Sequence, residues 1–323
     1  MIIAIPDDYH GLVPRLECYR RLHGHDVRVL HDAAPPFDGL VEKLRDAEVI
    51  VPIRERTVFD RRLLEALPRL RLISQTGRST HHVDVEACTA LGIAVTAGSH
   101  ASPHTVAEHT WALILSTLRH VPRETALMKQ GRWREQFSLG LRGRTFGVYG
   151  LGTIGGLVAA TAQSFGMRVL VLGQQRSAQR AATAGYHVAS DREQLFAESD
   201  VLSLHVRLSA ATRGIVTAAD LARMKPDALL VNTARAELIA PGSLAAALRC
   251  GRPGHAAVDV YEQEPVLHGN HPLLALDNAT CTPHSAWLER ETYELYFGEA
   301  FDHVLEWASG KPVKLVNPGV GQR

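Results

Sequence analysis

Residues 145–155 read TFGVYGLGTIG, and the organisation of the whole chain is interpreted from this stretch outward. It opens with a short apolar run that predicts a buried strand, and the next ten residues, GLVAATAQSF, show the apolar spacing of a helix. Three glycines join the two elements. Gly150 permits a tight turn, Gly152 lets the backbone approach a ligand, and Gly155 allows the helix to pack closely on the strand.

A glycine loop at a strand–helix junction predicts a dinucleotide site, because Thr153 and Ile154 at the start of the helix can offer N–H groups to a pyrophosphate. A merely flexible turn is the alternative. The acidic residue that binds a ribose 2′-hydroxyl is expected about 20 residues further on, but the second strand is followed by Gly173-Gln174-Gln175-Arg176-Ser177. Arg176, with Ser177, can neutralise the 2′-phosphate of NADP, whereas Gln174 can bind the 2′-hydroxyl of NAD. Both NAD and NADP therefore stay open.

Short aliphatic runs alternate with helical patterns along the chain, which predicts an α/β fold with two doubly wound parallel-sheet domains. A long helix is predicted from Pro103, with Ser102 as its N-cap and Pro122 as its stop. The last helical pattern is expected to pack back on the first domain, so the predicted domains are 1–101 with 286–323, and 102–285. The predicted strands are IIAIP, DVRVL, AEVIVPI, RLISQ and IAVT, then TFGVYG, RVLVLG, DVLSLHV, ALLVNTA, HAAVDV and ATCTPH.

Composition narrows the class of partner. The 323 residues carry a formal net charge of +1, so neither nucleic acid nor an anionic membrane is an expected partner. Four scattered cysteines without a CxxC pair indicate a reducing compartment. With an N-terminus that turns polar after a few residues and no long apolar run, the expectation is a cytoplasmic protein that acts on a small molecule.

Three reactive side chains follow the last predicted strands: Arg235 after ALLVNTA, Glu264 after HAAVDV and His284 after ATCTP. Since the carboxyl ends of parallel strands meet at one edge of a sheet, we expect all three to face one cleft. Arginine binds carboxylates bidentately and stays charged, so Arg235 is predicted to hold an acid and polarise its keto oxygen. His284 can donate and accept a proton, and Glu264 can orient its ring and stabilise the imidazolium. A structural ion pair and a surface histidine are the alternatives.

A metal site is a rival hypothesis, because the chain has 17 histidines and three of them, His100, His104 and His109, lie close together. Pro103 interrupts the helical register between the first two, and the last two do not share a helix face. No HExxH or cysteine spacing accompanies them. We therefore predict no metal.

The order of the motifs GLGTIG, NTARAELI, DVYEQEP and TPHSAW resembles that of the D-isomer-specific 2-hydroxyacid dehydrogenases. The resemblance implies a Rossmann cofactor domain and a flavodoxin-like substrate domain, with hydride transfer between NAD or NADP and a D-2-hydroxy or 2-keto acid. It also implies that Arg235, Glu264 and His284 are the catalytic residues and that Asp259 contacts the nicotinamide carboxamide. A homodimer is implied, with the helix that begins near Ser102 in its interface.

The substrate loop departs from the family pattern. Members usually carry a glycine-rich turn whose N–H groups bind the substrate carboxylate, whereas this chain has Gly77-Arg78-Ser79. Arg54 stands where phosphate-binding members have an arginine, and with Arg78 it can hold a dianion. The sequence thus favours an enzyme that resembles 3-phosphoglycerate dehydrogenase and acts on a similar substrate. An NADPH-dependent glyoxylate or hydroxypyruvate reductase and an NAD(H)-sensing, corepressor-like binding protein are the alternatives.

Overall fold

The computed structural model describes residues 1–33, 35–100, 102–133, 137–311 and 313–320. Within these residues, no helix has both the length and the apolar character needed to cross a membrane.

The chain divides into two compact units, which are described separately. The first unit comprises Met1–Ser102 and Leu288–Arg323, and the second comprises Pro103–Trp287. The sequence predicts boundaries after residues 101 and 285; residue 101 itself lies outside the described residues.

The first unit contains a five-stranded parallel sheet in the order β2-β1-β3-β4-β5. This is the flavodoxin-like order that the family resemblance implies. Each predicted strand of this unit is present. Its elements before residue 103 are β1 (Ile2–Ile5), β2 (Asp26–Val29), α1 (Phe37–Leu44), β3 (Val49–Ile50), α2 (Arg61–Glu65), β4 (Leu72–Gln75), α3 (Val85–Ala90) and β5 (Ala94–Ala97).

The second unit contains a seven-stranded parallel sheet in the order β12-β11-β10-β9-β6-β7-β8. Counted from its own first strand, β6, this is the Rossmann order with a further strand at one edge. The predicted fold class is confirmed. The elements are α4 (Pro103–Leu118), α5 (Val121–Lys129), β6 (Thr145–Tyr149), α6 (Thr153–Ser164), β7 (Arg168–Leu172), α7 (Gln175–Thr183), β8 (His187–Val188), α8 (Arg192–Glu198), β9 (Val201–Leu204), α9 (Ala218–Arg223), β10 (Leu229–Asn232), α10 (Ser243–Arg249), β11 (His255–Val258) and β12 (Ala279–Cys281).

Both faces of the second sheet are covered, which is why its strands are continuous apolar runs in the sequence. Successive side chains of β10 alternate between two cores. Leu229 and Val231 pack into the core that contains Trp111 of α4, whereas Leu230 packs into the core that contains Phe196 of α8. Polar side chains that carry chemistry therefore have to follow the strands.

The first unit is completed by the last helix, α11 (Arg290–Ala308). Its Phe297 and Phe301 are buried, and the Ala300 carbonyl accepts a hydrogen bond of 2.8 Å from Ser74 Oγ on β4.

One sequence prediction was wrong in detail, and one strand was missed. The predicted long helix ends at Leu118 rather than at Pro122, because His120 adopts the left-handed conformation at φ 52°, and Pro122 then stands in the first turn of α5. The exposed two-residue strand β8 was not predicted, because it offers no apolar run.

Candidate active site

The glycine loop has the shape that a dinucleotide requires. Gly150 has φ +97°, and a Cβ on it would lie 2.7 Å from the His205 carbonyl oxygen. A Cβ on Gly155 would lie 2.3 Å from the Gly150 carbonyl oxygen, so both positions exclude a side chain. A Cβ on Gly152, in contrast, would meet no described atom within 4 Å. The loop is closed towards the protein and open at Gly152, where α6 begins, which fits a bound pyrophosphate.

The end of β7 lacks the usual ribose-binding carboxylate. Gln174 is the N-cap of α7 in extended conformation, and Arg176 is exposed on the first turn of this helix. Ser177, which the sequence suggested as a partner of a 2′-phosphate, instead accepts a hydrogen bond from Leu151 N–H at 3.2 Å. The next acidic residue, Asp191, caps α8 by accepting from Gln194 N–H at 2.8 Å. Gln174 and Arg176 thus remain the candidates for contact with the ribose.

Glu264 and His284 form a direct pair. His284 Nδ1 lies 2.5 Å from Glu264 Oε2, while Glu264 Oε1 accepts a hydrogen bond of 2.9 Å from Tyr261 N–H. One carboxylate oxygen therefore fixes Glu264 to its own loop and the other orients the imidazole. With a proton on Nδ1 facing Glu264, Nε2 is the nitrogen left to exchange a proton with another group. His284 is half-buried and has φ 48°, a conformation that residues other than glycine seldom adopt.

Arg235 follows β10, and β10, β11 and β12 are adjacent in the sheet. Its carbonyl accepts a hydrogen bond of 2.8 Å from Asn232 Nδ2, and its Nη1 donates to the Ala234 carbonyl at 2.7 Å. The structure thus brings Glu264 and His284 into contact and places Arg235 at the carboxyl end of a strand in the same part of the sheet.

Asp259 is at the centre of a network that the sequence did not predict. Its side chain is 0% exposed, and its carboxylate accepts hydrogen bonds from Thr282 Oγ1 at 2.5 Å, from the N–H groups of Ser285 and Ala286 at 2.9 Å, and lies 3.4 Å from His109 Nε2. Burial alone would raise the pKa of Asp259, but these hydrogen bonds outweigh burial and hold the pKa below its ordinary value. A role of Asp259 towards the nicotinamide stays a prediction.

Two of the three histidines weighed as metal ligands, His100 and His109, have other partners. His109 Nε2 lies 3.1 Å from Thr282 Oγ1, and His100 Nδ1 lies 3.0 Å from Glu299 Oε2. Among the described residues, no three His, Cys, Asp or Glu side chains are grouped so that they could hold a metal ion.

In the first unit, Arg54 and Gly77 come together. Arg54 has φ 56°, and its N–H donates to Thr76 Oγ1 at 2.9 Å. A Cβ on Gly77 would lie 2.8 Å from Arg54 Nη1. The guanidinium also lies over the Tyr296 ring, 5.5 Å from its centroid, and Nε is 3.6 Å from Glu55 Oε2. The guanidinium is therefore held beside the backbone of Gly77.

The two remaining loop residues differ from each other. Arg78 is exposed, whereas Ser79 Oγ forms a hydrogen bond of 2.7 Å with His81 Nδ1. Both residues follow Gly77 in the chain. Among the described residues, Arg78 forms no hydrogen bond with Arg54.

His82 is a buried residue that follows the loop formed by Gly77, Arg78 and Ser79. It is 5% exposed, its carbonyl accepts a hydrogen bond of 2.8 Å from Phe59 N–H, and neither ring nitrogen has a hydrogen-bond partner among the described residues. Burial lowers the pKa of His82 to about 4. The ring is therefore neutral at physiological pH.

The chain is similar to known proteins in sequence and in fold. Residues 111–286 match the family model described as D-isomer specific 2-hydroxyacid dehydrogenase, NAD binding domain. The chain is 37% identical over 293 residues to a glyoxylate reductase of Aeropyrum pernix, covering 88% of this chain and 87% of that one. It is 39% identical over 249 residues to a D-3-phosphoglycerate dehydrogenase of Methanocaldococcus jannaschii, covering 76% of this chain but only 47% of that one. The solved structure of a phosphoglycerate oxidoreductase from Vibrio cholerae superposes with a TM-score of 0.93 at 45% identity, covering 96% and 99% of the two chains.

His82→Asn should flatten the dependence of stability on pH. Since the pKa of His82 is lowered in the folded chain, protonation below pH 6.5 favours the unfolded chain, and stability is lost as the pH falls from 6.5 towards 4. One such group changes the free energy of unfolding by roughly 2–3 kcal/mol over this range. Urea titrations at pH 7 and pH 4.5 measure the effect, with His81→Asn at the neighbouring exposed position as control. Equal pH dependence in His82→Asn and the wild type would contradict the assignment.

Proposed function

Because the chain belongs to the D-isomer specific 2-hydroxyacid dehydrogenase family, we propose that Arg235, Glu264 and His284 catalyse its NAD(P)-dependent interconversion of a D-2-hydroxy acid and a 2-keto acid. The observation that carries the proposal is the 2.5 Å contact between His284 Nδ1 and Glu264 Oε2. A carboxylate-oriented imidazole is the arrangement of a general acid and base. We further propose phosphohydroxypyruvate, or another 2-keto acid with a second anionic group, as substrate.

The residues divide the chemistry among themselves. A bound nicotinamide supplies the hydride that reduces C2 of the keto acid and accepts it in the reverse direction. Arg235 binds the substrate carboxylate and polarises the keto oxygen. The imidazolium of His284 donates its Nε2 proton to that oxygen, and in the reverse direction the neutral ring accepts the hydroxyl proton. Glu264 stabilises the imidazolium and keeps Nδ1 protonated.

The cofactor contacts are assigned to the second unit. We propose that Gly150, Gly152 and Gly155, with the N–H groups of Thr153 and Ile154, hold the pyrophosphate, as the open space at Gly152 supports. Gln174 and Arg176 are assigned to the ribose, where the arginine suits a 2′-phosphate. Asp259 is assigned to the nicotinamide carboxamide, and the N–H groups of Ser285 and Ala286, which donate to its carboxylate, hold that carboxylate in place. The substrate contacts beyond those of Arg235 and His284 are assigned to the first unit, where the proposed residues are Arg54, Gly77, Arg78 and Ser79.

A glyoxylate or hydroxypyruvate reductase using NADPH is the second candidate. It is favoured by the similarity to the glyoxylate reductase, which extends over nearly the whole of both chains. An NAD(H)-sensing binding protein is the candidate from another class.

One panel of assays separates these candidates. The purified protein is given NADH or NADPH with phosphohydroxypyruvate, hydroxypyruvate, glyoxylate or pyruvate, and oxidation of the nicotinamide is followed by absorbance. The proposal expects the highest kcat/KM with phosphohydroxypyruvate. Preference for glyoxylate or hydroxypyruvate selects the second candidate, and tight cofactor binding without turnover selects the sensor.

His284→Ala should lower kcat by about 10²–10⁴, as expected for loss of a general acid. Glu264→Gln should lower kcat less, because an amide can still orient the ring but does not stabilise the imidazolium. Steady-state kinetics with the preferred substrate measure both, and His187→Ala, at an exposed histidine of the same unit, is the control. Unchanged turnover in His284→Ala would remove this histidine from the mechanism.

Arg54→Gln should raise the KM for phosphohydroxypyruvate by about 10- to 100-fold, the effect expected for loss of a hydrogen-bonded charge. The KM for glyoxylate distinguishes two roles. It stays unchanged if Arg54 binds the distal anionic group, and it rises equally if Arg54 binds the carboxylate common to both substrates. Arg69→Gln, an exposed arginine of the same unit, serves as control. Unchanged KM for both substrates would exclude Arg54 from the site.

We also propose a homodimer in which α4, α5 and the chain that follows them form the interface. The exposed apolar side chains support this, since Trp133 is 71% and Phe137 is 100% exposed, and Val121 and Met128 of α5 are exposed as well.

A cytoplasmic location is part of the proposal and rests on the four cysteines, which are all free thiols.

The double variant Trp133→Asp, Phe137→Asp should be a monomer, because two carboxylates would have to be buried in the interface. Sedimentation velocity measures the mass of the variant and of the wild type. Val58→Asp, at an exposed apolar residue of the first unit, should not change the mass. A double variant that sediments like a dimeric wild type would place the interface elsewhere.

A further inference from the structure

Two side chains of α7 bind the same residue of the glycine loop. Leu151 stands between Gly150 and Gly152, and it is buried. Its N–H donates to Ser177 Oγ at 3.2 Å, and its carbonyl accepts from Arg180 Nη1 at 3.2 Å. Ser177 and Arg180 are three residues apart, so they lie on one face of the helix. Both backbone polar groups of Leu151 are thus bonded by α7.

Gly173 makes room for this contact. A Cβ on Gly173 would lie 2.7 Å from both Cβ and Oγ of Ser177. Any residue with a side chain at position 173 would have to displace Ser177 from the loop. This position is at the end of β7, where dinucleotide-binding folds usually carry the carboxylate that binds a ribose hydroxyl. In this chain, a glycine stands where the carboxylate usually stands, and the space that it leaves lets Ser177 reach Leu151.

We propose that Ser177 and Arg180 are positioning residues that hold the glycine loop in the conformation that receives the cofactor. A segment that contains Gly150 and Gly152 has large conformational freedom when the chain is unconstrained. Bonding both polar groups of Leu151 restricts the dihedral angles on either side of it and so fixes the peptide planes that lead to α6. The cofactor then binds a loop that is already ordered, which lowers the entropy lost on binding.

This role differs from recognition of a 2′-phosphate. The loop contacts the part that NAD and NADP share, so a change in its order affects both cofactors equally. A residue that binds the 2′-phosphate affects NADP alone. The ratio of the two affinities therefore distinguishes positioning from recognition.

The test uses the full-length protein with Ser177→Ala, Ser177→Thr and Arg180→Ala, and with Gln179→Ala as control at an exposed position of the same helix. The Kd values of NADH and NADPH are measured by fluorescence titration, with kcat and Tm measured in parallel. Ser177→Ala should weaken both cofactors by about tenfold, the effect of leaving one buried N–H without its partner. At saturating cofactor, kcat should be unchanged, and Ser177→Thr should restore the affinity because it keeps the hydroxyl.

Arg180→Ala should weaken both cofactors in the same ratio, and because this residue is exposed it tests the proposal even if Ser177→Ala does not fold. A loss confined to NADPH would overturn the proposal in favour of 2′-phosphate recognition. Unchanged Kd values for both cofactors, with or without a lower Tm, would also overturn it, since the contacts would then serve stability alone.

Discussion

Burial of the seven-stranded sheet on both faces is the constraint on which the site of the second unit depends. The strands alternate their side chains between two apolar cores, so a charged side chain within a strand would be buried without solvent. Arg235, Glu264 and His284 accordingly follow the strands, in chain segments whose backbone is free of the sheet. Because the strands are parallel and adjacent, these segments emerge at one edge. The three polar side chains therefore follow the strands because the strands themselves must carry apolar side chains on both faces.

The same packing determines the conformation of the glycine loop. Gly150 and Gly155 approach the backbone of His205 and of Gly150 so closely that neither tolerates a Cβ. The start of α6 therefore packs closely on the sheet, while Gly152 faces open space. A helix that begins this close to the strand ends has its unpaired N–H groups at the carboxyl edge of the sheet, where Arg235, Glu264 and His284 follow their strands. The residues proposed to bind the pyrophosphate are therefore the same few that pack α6 closely on the sheet.

The strand pattern apart from β8, and the pairing of Glu264 with His284, could be predicted from the sequence, because they depend on apolar runs and on the residues directly after them. The two sheet orders were implied by the resemblance to the family. Other features depend on contacts between distant residues. The network around Asp259 joins α4 to the segment after β12, and nothing local to Asp259, His109 or Thr282 signals it. The end of α4 was missed for a related reason, since His120 in left-handed conformation breaks the helix before the proline does. The contact of Ser177 with the glycine loop is also invisible in the sequence, which offers Ser177 as a partner of a 2′-phosphate and does not show that Leu151 N–H donates to its hydroxyl.

Two of the assigned residues have an uncommon backbone conformation, which three residues without an assigned role, Asp7, His120 and His268, also adopt. Arg54 and His284 both have positive φ, at 56° and 48°, although neither is glycine. This region costs an ordinary residue on the order of 1 kcal/mol or more, so it is kept where the surroundings demand it. At Arg54 the surroundings include the hydrogen bond to Thr76 and the Tyr296 ring, and at His284 they include the 2.5 Å contact with Glu264. The Tyr296 ring contacts the Arg54 guanidinium and Glu264 contacts the His284 imidazole, whereas the hydrogen bond to Thr76 fixes the Arg54 backbone. At both residues, contacts with neighbours hold a reactive side chain in place on an unfavourable backbone conformation. This pattern is expected where the position of the side chain matters more than local stability.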